Sequence, residues 1–196
     1  MKIVGVGCGP GMLTADAVRV ISGASLIYGS SRAIEIAGEI IPPGCGVHEI
    51  TNYRNLRELP EEAVVLSTGD PMLAGLGYLP GEVIPGISSL QVALARLHIP
   101  MAGISIVVAH GRDHAGSLDQ MSDELRRGKT VFLLADPEFD IHEAAVRARD
   151  ACGTCRIVLC EELGYPDERI VIGSPDTIPV PEKDLYSLII GNWPDR

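Results

Sequence analysis

Apolar and polar positions along this chain follow two rhythms. Through the first hundred residues, short apolar runs ("KIVGV", "ASLIYG", "GVHEI", "AVVLSTGD" and "EVIPG") alternate with stretches of helical spacing. Residues 14–22, "SRAIEIAGEI" and "SSLQVALARL" predict helices, and "NLRELP" a helical turn. Strand runs separated by helices predict parallel strands, with crossover helices covering the faces of the sheet.

The second half reads differently. "ISIVVAHG" and "TVFLLAD" predict strands flanking a helical "LDQMSDELRR", and "DIHEAAVRARDA" places Asp140 and Glu143 in a capping-box pattern. "CRIVLCEEL" and "ERIVIGS" are β-rich runs separated by "GYPD", a hairpin signal that predicts antiparallel pairing. "SLIIG" predicts a last strand. Pro100 and Gly103 in "HIPMAG" interrupt the pattern and mark the best boundary. The fold class is α/β, with two α/β domains of similar size: 1–102, carrying a glycine-rich loop, and 103–196, with a mixed sheet.

Composition narrows the function classes. At 46% hydrophobic and 21% charged residues, the chain is ordinary globular material. Its apolar runs fall well short of the roughly 20 residues a membrane span needs. Residues 1–7 lack the basic region of a signal peptide, so a soluble, cytoplasmic protein is expected. A formal charge of −10 with no basic stripe argues against a nucleic-acid partner. Five cysteines, an odd number, fit reduced thiols better than a disulfide framework. Cys152 and Cys155 have metal-type spacing, but with Cys160 they do not complete a four-ligand set, so no metal is expected and their role stays open.

The most informative stretch is "VGVGCGPGMLTADAV", with glycines at 5, 7, 9 and 11. A dinucleotide fingerprint would need a third glycine where Pro10 or Met12 stands, and an acidic residue where the second strand ends in Tyr28-Gly29-Ser30. A phosphate loop needs Gly-Lys-Ser/Thr, which the chain lacks. Pro10 also removes an N–H that a phosphate cradle would use. Close approach of a ligand to glycine backbone, or a tight strand-to-helix turn, remain as readings. "STGDPML" and "VIPGISSL" occupy similar positions at strand ends, where open α/β sheets bind ligands. Asp70 there can pair with an amine or ribose hydroxyl, or cap a helix after Pro71; Ser88 and Ser89, read alone, are helix caps.

Together, "VGVGCGPGMLT", "STGDPMLAGLG" and "VIPGISSLQVA" resemble the tetrapyrrole methylase family in order and spacing, over essentially the whole chain. "AHGRD", "LLADP" and particularly "CEELGYPDERI" resemble the branch acting on cobalt-precorrin-7 at C-5. The resemblance implies two α/β domains with S-adenosylmethionine between them, and commonly a homodimer. Carried over by motif, the cofactor contacts would be Cys8, Gly9, Pro10, Asp70, Leu73, Ser88 and Ser89, with Leu134 and Ala135 from the second domain. It implies methylation of C-5 of a cobalt-precorrin in cobalamin biosynthesis. A separate partner would carry C-15 methylation and decarboxylation, because no second methyltransferase domain fits in 196 residues. Another ring carbon, a metal-free ring, or a non-catalytic assembly partner of the same fold are the alternatives.

A polycarboxylate ring calls for local cations. His110 and Arg112, after a predicted strand end, are candidates for pairing ring carboxylates, and Arg169 comes next. His110 also suits removal of a proton after methylation. For both, a solvated surface residue is the equal alternative. Glu161, Tyr165 and Asp167 can shape the ring site or the hairpin turn, and no residue stands out as an obligatory general base.

Overall fold

The computed structural model describes residues 1–111 and 113–194. These pack as two compact units, Met1–Ser89 and Leu90–Arg196. The helix after "VIPGIS" falls with the second unit, whereas a boundary at 102/103 assigns it to the first.

In the first unit, β1 (Lys2–Gly5), β2 (Leu26–Gly29), β3 (Gly46–Glu49), β4 (Val64–Ser67) and β5 (Glu82–Ile84) form a five-stranded sheet in the order β3-β2-β4-β1-β5. Every pairing is parallel. Alternate side chains enter opposite layers. Val4, Val64 and Leu66 join Ala17, Ile21 and Ala33 of α1 (Ala15–Ser22) and α2 (Ser31–Ala37), while Ile3 and Val65 pack with Ile50, Leu56 and Leu79. Burial on both faces explains why these strands read as continuous apolar runs. Thr14 and Ser30 start the helices, their hydroxyls accepting the Ala17 and Ala33 N–H groups. "NLRELP" forms a single 3-10 turn, Leu56–Glu58.

The second unit takes in α3 (Ser89–Arg96) from Leu90 onward and continues through β6 (Ile104–Val108), α4 (His114–Arg126), β7 (Thr130–Ala135), α5 (Ile141–Cys152), β8 (Arg156–Glu161), β9 (Arg169–Gly173) and β10 (Tyr186–Gly191). Its sheet runs β6-β7-β10-β8-β9. Only β6 and β7 pair in parallel; the pairings β7–β10, β10–β8 and β8–β9 are antiparallel, the last being the hairpin that "GYPD" predicts. α4 and α5 place Leu118, Met121, Ala144 and Ala148 against Val131, Leu133, Ile157 and Leu188. The α5 capping box is half made. Asp140 Oδ1 accepts the His142 and Glu143 N–H groups, but the Glu143 carboxylate turns to Arg147 one helical turn on. Among the described residues no helix is long and apolar enough to cross a membrane.

Candidate active site

β4, β1 and β5 are neighbours in the first sheet although far apart in the chain, so the loops leaving their carboxyl ends converge. The loops are sewn together through backbone. Gly7 and Gly69 exchange both N–H···O bonds, at 3.2 and 2.8 Å, and the Cys8 N–H donates to the Ile87 carbonyl at 3.0 Å. Glycine is required where the chains cross. A Cβ on Gly5 would lie 2.5 Å from the Gly86 nitrogen, and one on Gly86 would lie 2.2 Å from the Gly69 carbonyl oxygen. Gly7, at φ +82°, would drive a Cβ to 2.5 Å from Met12 Cβ. Two of the four opening glycines are thus spent on the protein's own packing. Gly11, at φ +77°, has open space where its Cβ would stand.

Asp70 clasps this junction. Its Oδ1 accepts the Met72 N–H at 2.8 Å and its Oδ2 accepts the Gly86 N–H at 3.0 Å. No helix follows Pro71: residues 71–74 form a turn in which Asp70 accepts the Met72 N–H, and the same carboxylate also ties in the β5 loop. Cys8, Gly9 and Ser88 are buried, Leu73 and Ser89 half-buried, and Pro10 exposed. The Cys8 thiol faces Met12 Sδ at 3.6 Å. Across residues 5–14, 67–77 and 84–89, Asp70 is the one charged side chain. Neutral dipoles with a single carboxylate suit a cationic sulfonium and its hydroxyl-bearing ribose far better than a phosphate.

In the second unit, the Leu134 carbonyl accepts both the Ala109 N–H at 2.9 Å and the His110 N–H at 3.1 Å. The structure therefore brings Leu134, the buried Ala135 and the exposed His110 together at the ends of β6 and β7. Arg112 lies outside the described residues. Sequence reasoning missed two residues at this end. Asp136, 9% exposed, accepts the Gly111 N–H at 2.8 Å and the Glu138 N–H at 3.1 Å, and lies 3.2 Å from His114 Nε2. Burial pushes its carboxyl up, but these donors outweigh it and hold the group below the ordinary aspartate value. His114 is further seated edge-on against Phe139, with ring centroids 5.6 Å apart. A signal was present: "ADP" repeats the "GDP" of the first unit, an aspartate at a strand end followed by proline.

The late motif is occupied by its own structure. Glu161, 1% exposed, accepts the Glu182 and Lys183 N–H groups at 2.7 and 2.8 Å and pairs with Arg169. Arg169 also reaches Glu182 at 3.2 Å and the Val180 carbonyl, so its guanidinium is committed within the unit. Asp167 meets Lys183 at 3.4 Å. Glu168 binds Arg96 at 2.6 Å and the Gly164 N–H at 2.8 Å, which hold its carboxyl low despite burial. All five cysteines are free thiols. Among the described residues, no group of three or more His, Cys, Asp or Glu could hold a metal ion.

In sequence and fold the chain is similar to known proteins. A relative from Methanocaldococcus jannaschii, named "Probable cobalt-precorrin-7 C(5)-methyltransferase", is 30% identical over 135 residues, 55% of this chain and 60% of the relative's length. The solved precorrin-6Y methylase from Archaeoglobus fulgidus superposes with a TM-score of 0.78 at 31% identity, covering 98% of both chains. Uroporphyrin-III C-methyl transferase from Thermus thermophilus, complexed with S-adenyl homocysteine, matches with a TM-score of 0.70 over 97% of this chain and 96% of its own. At 21% identity, that likeness shows the fold. Residues 2–179 match the family described as Tetrapyrrole (Corrin/Porphyrin) Methylases, so with three glycine-crossed loops at adjacent strand ends, the chain belongs to the tetrapyrrole methylases.

Proposed function

We propose that the protein transfers a methyl group from S-adenosylmethionine to C-5 of a cobalt-precorrin in cobalamin biosynthesis. Family membership supports methyl transfer to a tetrapyrrole-type ring. The name of the M. jannaschii relative supports C-5 and a cobalt-bearing substrate. S-adenyl homocysteine on a protein of the same fold supports the donor.

The observation that carries the reading is the loop junction around Gly5, Gly69 and Gly86, neutral apart from Asp70. Bound S-adenosylmethionine supplies a methyl group already activated by its sulfonium. The chain then has to align and exclude water, and need not generate a nucleophile. Backbone at Cys8, Gly9 and Pro10, with Asp70 and Leu73, then Ser88 and Ser89, on the neighbouring loops of the first unit, would hold the donor. Asp70 retains acceptor capacity beyond its two backbone donors, because a carboxylate has about four lone-pair sites. His110 and Arg112 take ring carboxylates, or in the case of His110 the proton released on methylation. A cytoplasmic homodimer working beside a separate C-15 enzyme completes the reading.

A metal-free ring is the second reading, favoured by the name of the A. fulgidus protein, a precorrin-6Y methylase. Calorimetric titration with S-adenosylhomocysteine tests the donor site. Saturable one-to-one binding is expected, and no detectable binding by the folded protein overturns the proposal.

A further inference from the structure

We infer that Arg54 and Arg57, with Tyr78 and Met72, form a docking face for the carboxylate-bearing rim of the ring acceptor. The inference rests on the methyltransferase reading above and adds the residues that would select a polycarboxylate.

Charge draws attention to the two arginines. The chain carries 26 acidic against 16 basic residues, so most cations find a carboxylate within reach. In the first unit Lys2 pairs with Glu82 at 3.2 Å and Arg19 with Asp16 at 2.8 Å. Among the described residues, the guanidinium groups of Arg54 and Arg57 meet no carboxylate, although Glu58, Glu61 and Glu62 are close in sequence. The Arg57 guanidinium instead stands 5.9 Å from the centroid of the Tyr78 ring. Such an arginine keeps its donor edge for an anion while its face rests on an aromatic.

Contacts connect this pair to the donor loops. Asp70 holds the Met72 N–H, and the loop doubles back so that the Gly77 N–H donates to the Pro71 carbonyl at 2.9 Å. The Met72 thioether is then drawn over Gly77, where an added Cβ would come within 2.5 Å of Sδ. Tyr78 follows at once, with Arg57 over its ring. The chain therefore leads from Asp70 through Met72 to Gly77, whose neighbour Tyr78 carries Arg57 over its ring. Met72 and Tyr78 are 71% and 53% exposed, large apolar groups left in water beside the candidate donor site.

The base of the face is anchored. Leu56, between the arginines, is 4% exposed and packs with Ile50 and Leu79. Asn52 Oδ1 accepts the Arg54 N–H at 3.0 Å and fixes the turn that leads in. A thioether and a phenol offer a flat apolar platform, and two guanidinium forks offer bidentate sites for carboxylates. A flat ring with acidic side chains needs both features. A free phosphate has no use for the platform, and a nucleic acid would need a broader basic surface.

The test uses full-length protein and a stable, coloured corrin polycarboxylate, cobyrinic acid, with its fully methyl-esterified form as the neutral probe. Binding is followed by absorbance for wild type, Arg54→Gln, Arg57→Gln and the double variant, and each is titrated separately with S-adenosylhomocysteine. Each single substitution is expected to weaken binding of the acid about five- to tenfold, with the double variant weaker again. Affinity for S-adenosylhomocysteine is expected to stay within about twofold, and the ester to bind all four proteins alike. Wild-type affinity for the acid in the double variant overturns the docking face, as does a matching loss of S-adenosylhomocysteine binding. Wild type that binds S-adenosylhomocysteine but not the acid overturns the docking face alone. Wild type that binds neither overturns the methyltransferase reading, and this inference falls with it.

Discussion

Asp70 reaches across to Gly86: its Oδ2 accepts the Gly86 N–H at 3.0 Å while its Oδ1 accepts the Met72 N–H at 2.8 Å. One half-buried carboxylate thereby fixes the β4 loop and the β5 loop together. Hydrogen bonds to a charged group contribute about 1.5–3 kcal/mol, with less expected at partial exposure. Asp70→Ala is expected to cost about 1–3 kcal/mol and to weaken S-adenosylhomocysteine binding at least about tenfold. Denaturant unfolding and calorimetry measure the two effects. Unchanged affinity in a folded variant would remove Asp70 from the donor site.

Glycines in the junction should differ sharply in cost. Gly86→Ala places a methyl group 2.2 Å from the Gly69 oxygen and 2.8 Å from the Gly5 carbonyl carbon, all backbone that cannot rotate away. A loss of about 2 kcal/mol or more is expected from such overpacking. Gly11→Ala meets no atoms and bears only the strain of φ +77°, about 1 kcal/mol. Urea midpoints for the two variants rank them, and equal midpoints contradict the crossing geometry.

Acid should unfold the second unit partly through Asp136. Its folded pKa lies below the ordinary 3.8, because the Gly111, His114 and Glu138 donors outweigh burial. A depressed carboxyl contributes stability that is complete above the unfolded value and is lost as pH falls through the folded one. Wild type is therefore expected to be more stable than Asp136→Asn at pH 7, with the gap closing below about pH 3.8. Urea titrations between pH 7 and pH 3 measure it, and a gap independent of pH contradicts the assignment.

Two cysteines should resist alkylation. Burial pushes Cys160 up to about 12, helped by Glu168 and Glu161, and burial with its neighbour Cys152 pushes Cys155 to about 12. At pH 8 only ~1 thiol in 10,000 of either would be thiolate, the reactive form. Peptide mass spectrometry after brief iodoacetamide treatment is expected to find half-buried Cys45 modified before Cys155 and Cys160. Early labelling of Cys160 in the folded protein would contradict the burial.

Periodicity carried most of this fold to the page, because parallel strands such as Val64–Ser67 are apolar on both faces and the hairpin partners of β8 and β9 flank "GYPD". The three converging loops are legible as glycine and Asp-Pro punctuation at strand ends. What each glycine was for was not. Gly5 and Gly7 are explained by backbone crossing from Gly86 and by Met12, partners no local pattern reveals. Arg169 likewise reads as an available cation, yet it is engaged by Glu161 and Glu182, 8 residues before it and 13 after. Asp136 repeats the Asp70 pattern, but its role emerged only once Gly111 and His114 were seen on its carboxylate. Short-range signals announce turns and strands; pairing across the sheet decides which polar groups are left for a ligand.

Methyl transfer to C-5 of a cobalt-precorrin is read directly by incubating the protein with methyl-labelled S-adenosylmethionine and cobalt-precorrin-7. Carbon NMR then locates the label. The expected result is one labelled methyl group on C-5, formed together with S-adenosylhomocysteine and slowed in Asp70→Ala at sub-saturating donor. Label on a different ring carbon, or no transfer from a protein that binds both ligands, would contradict it.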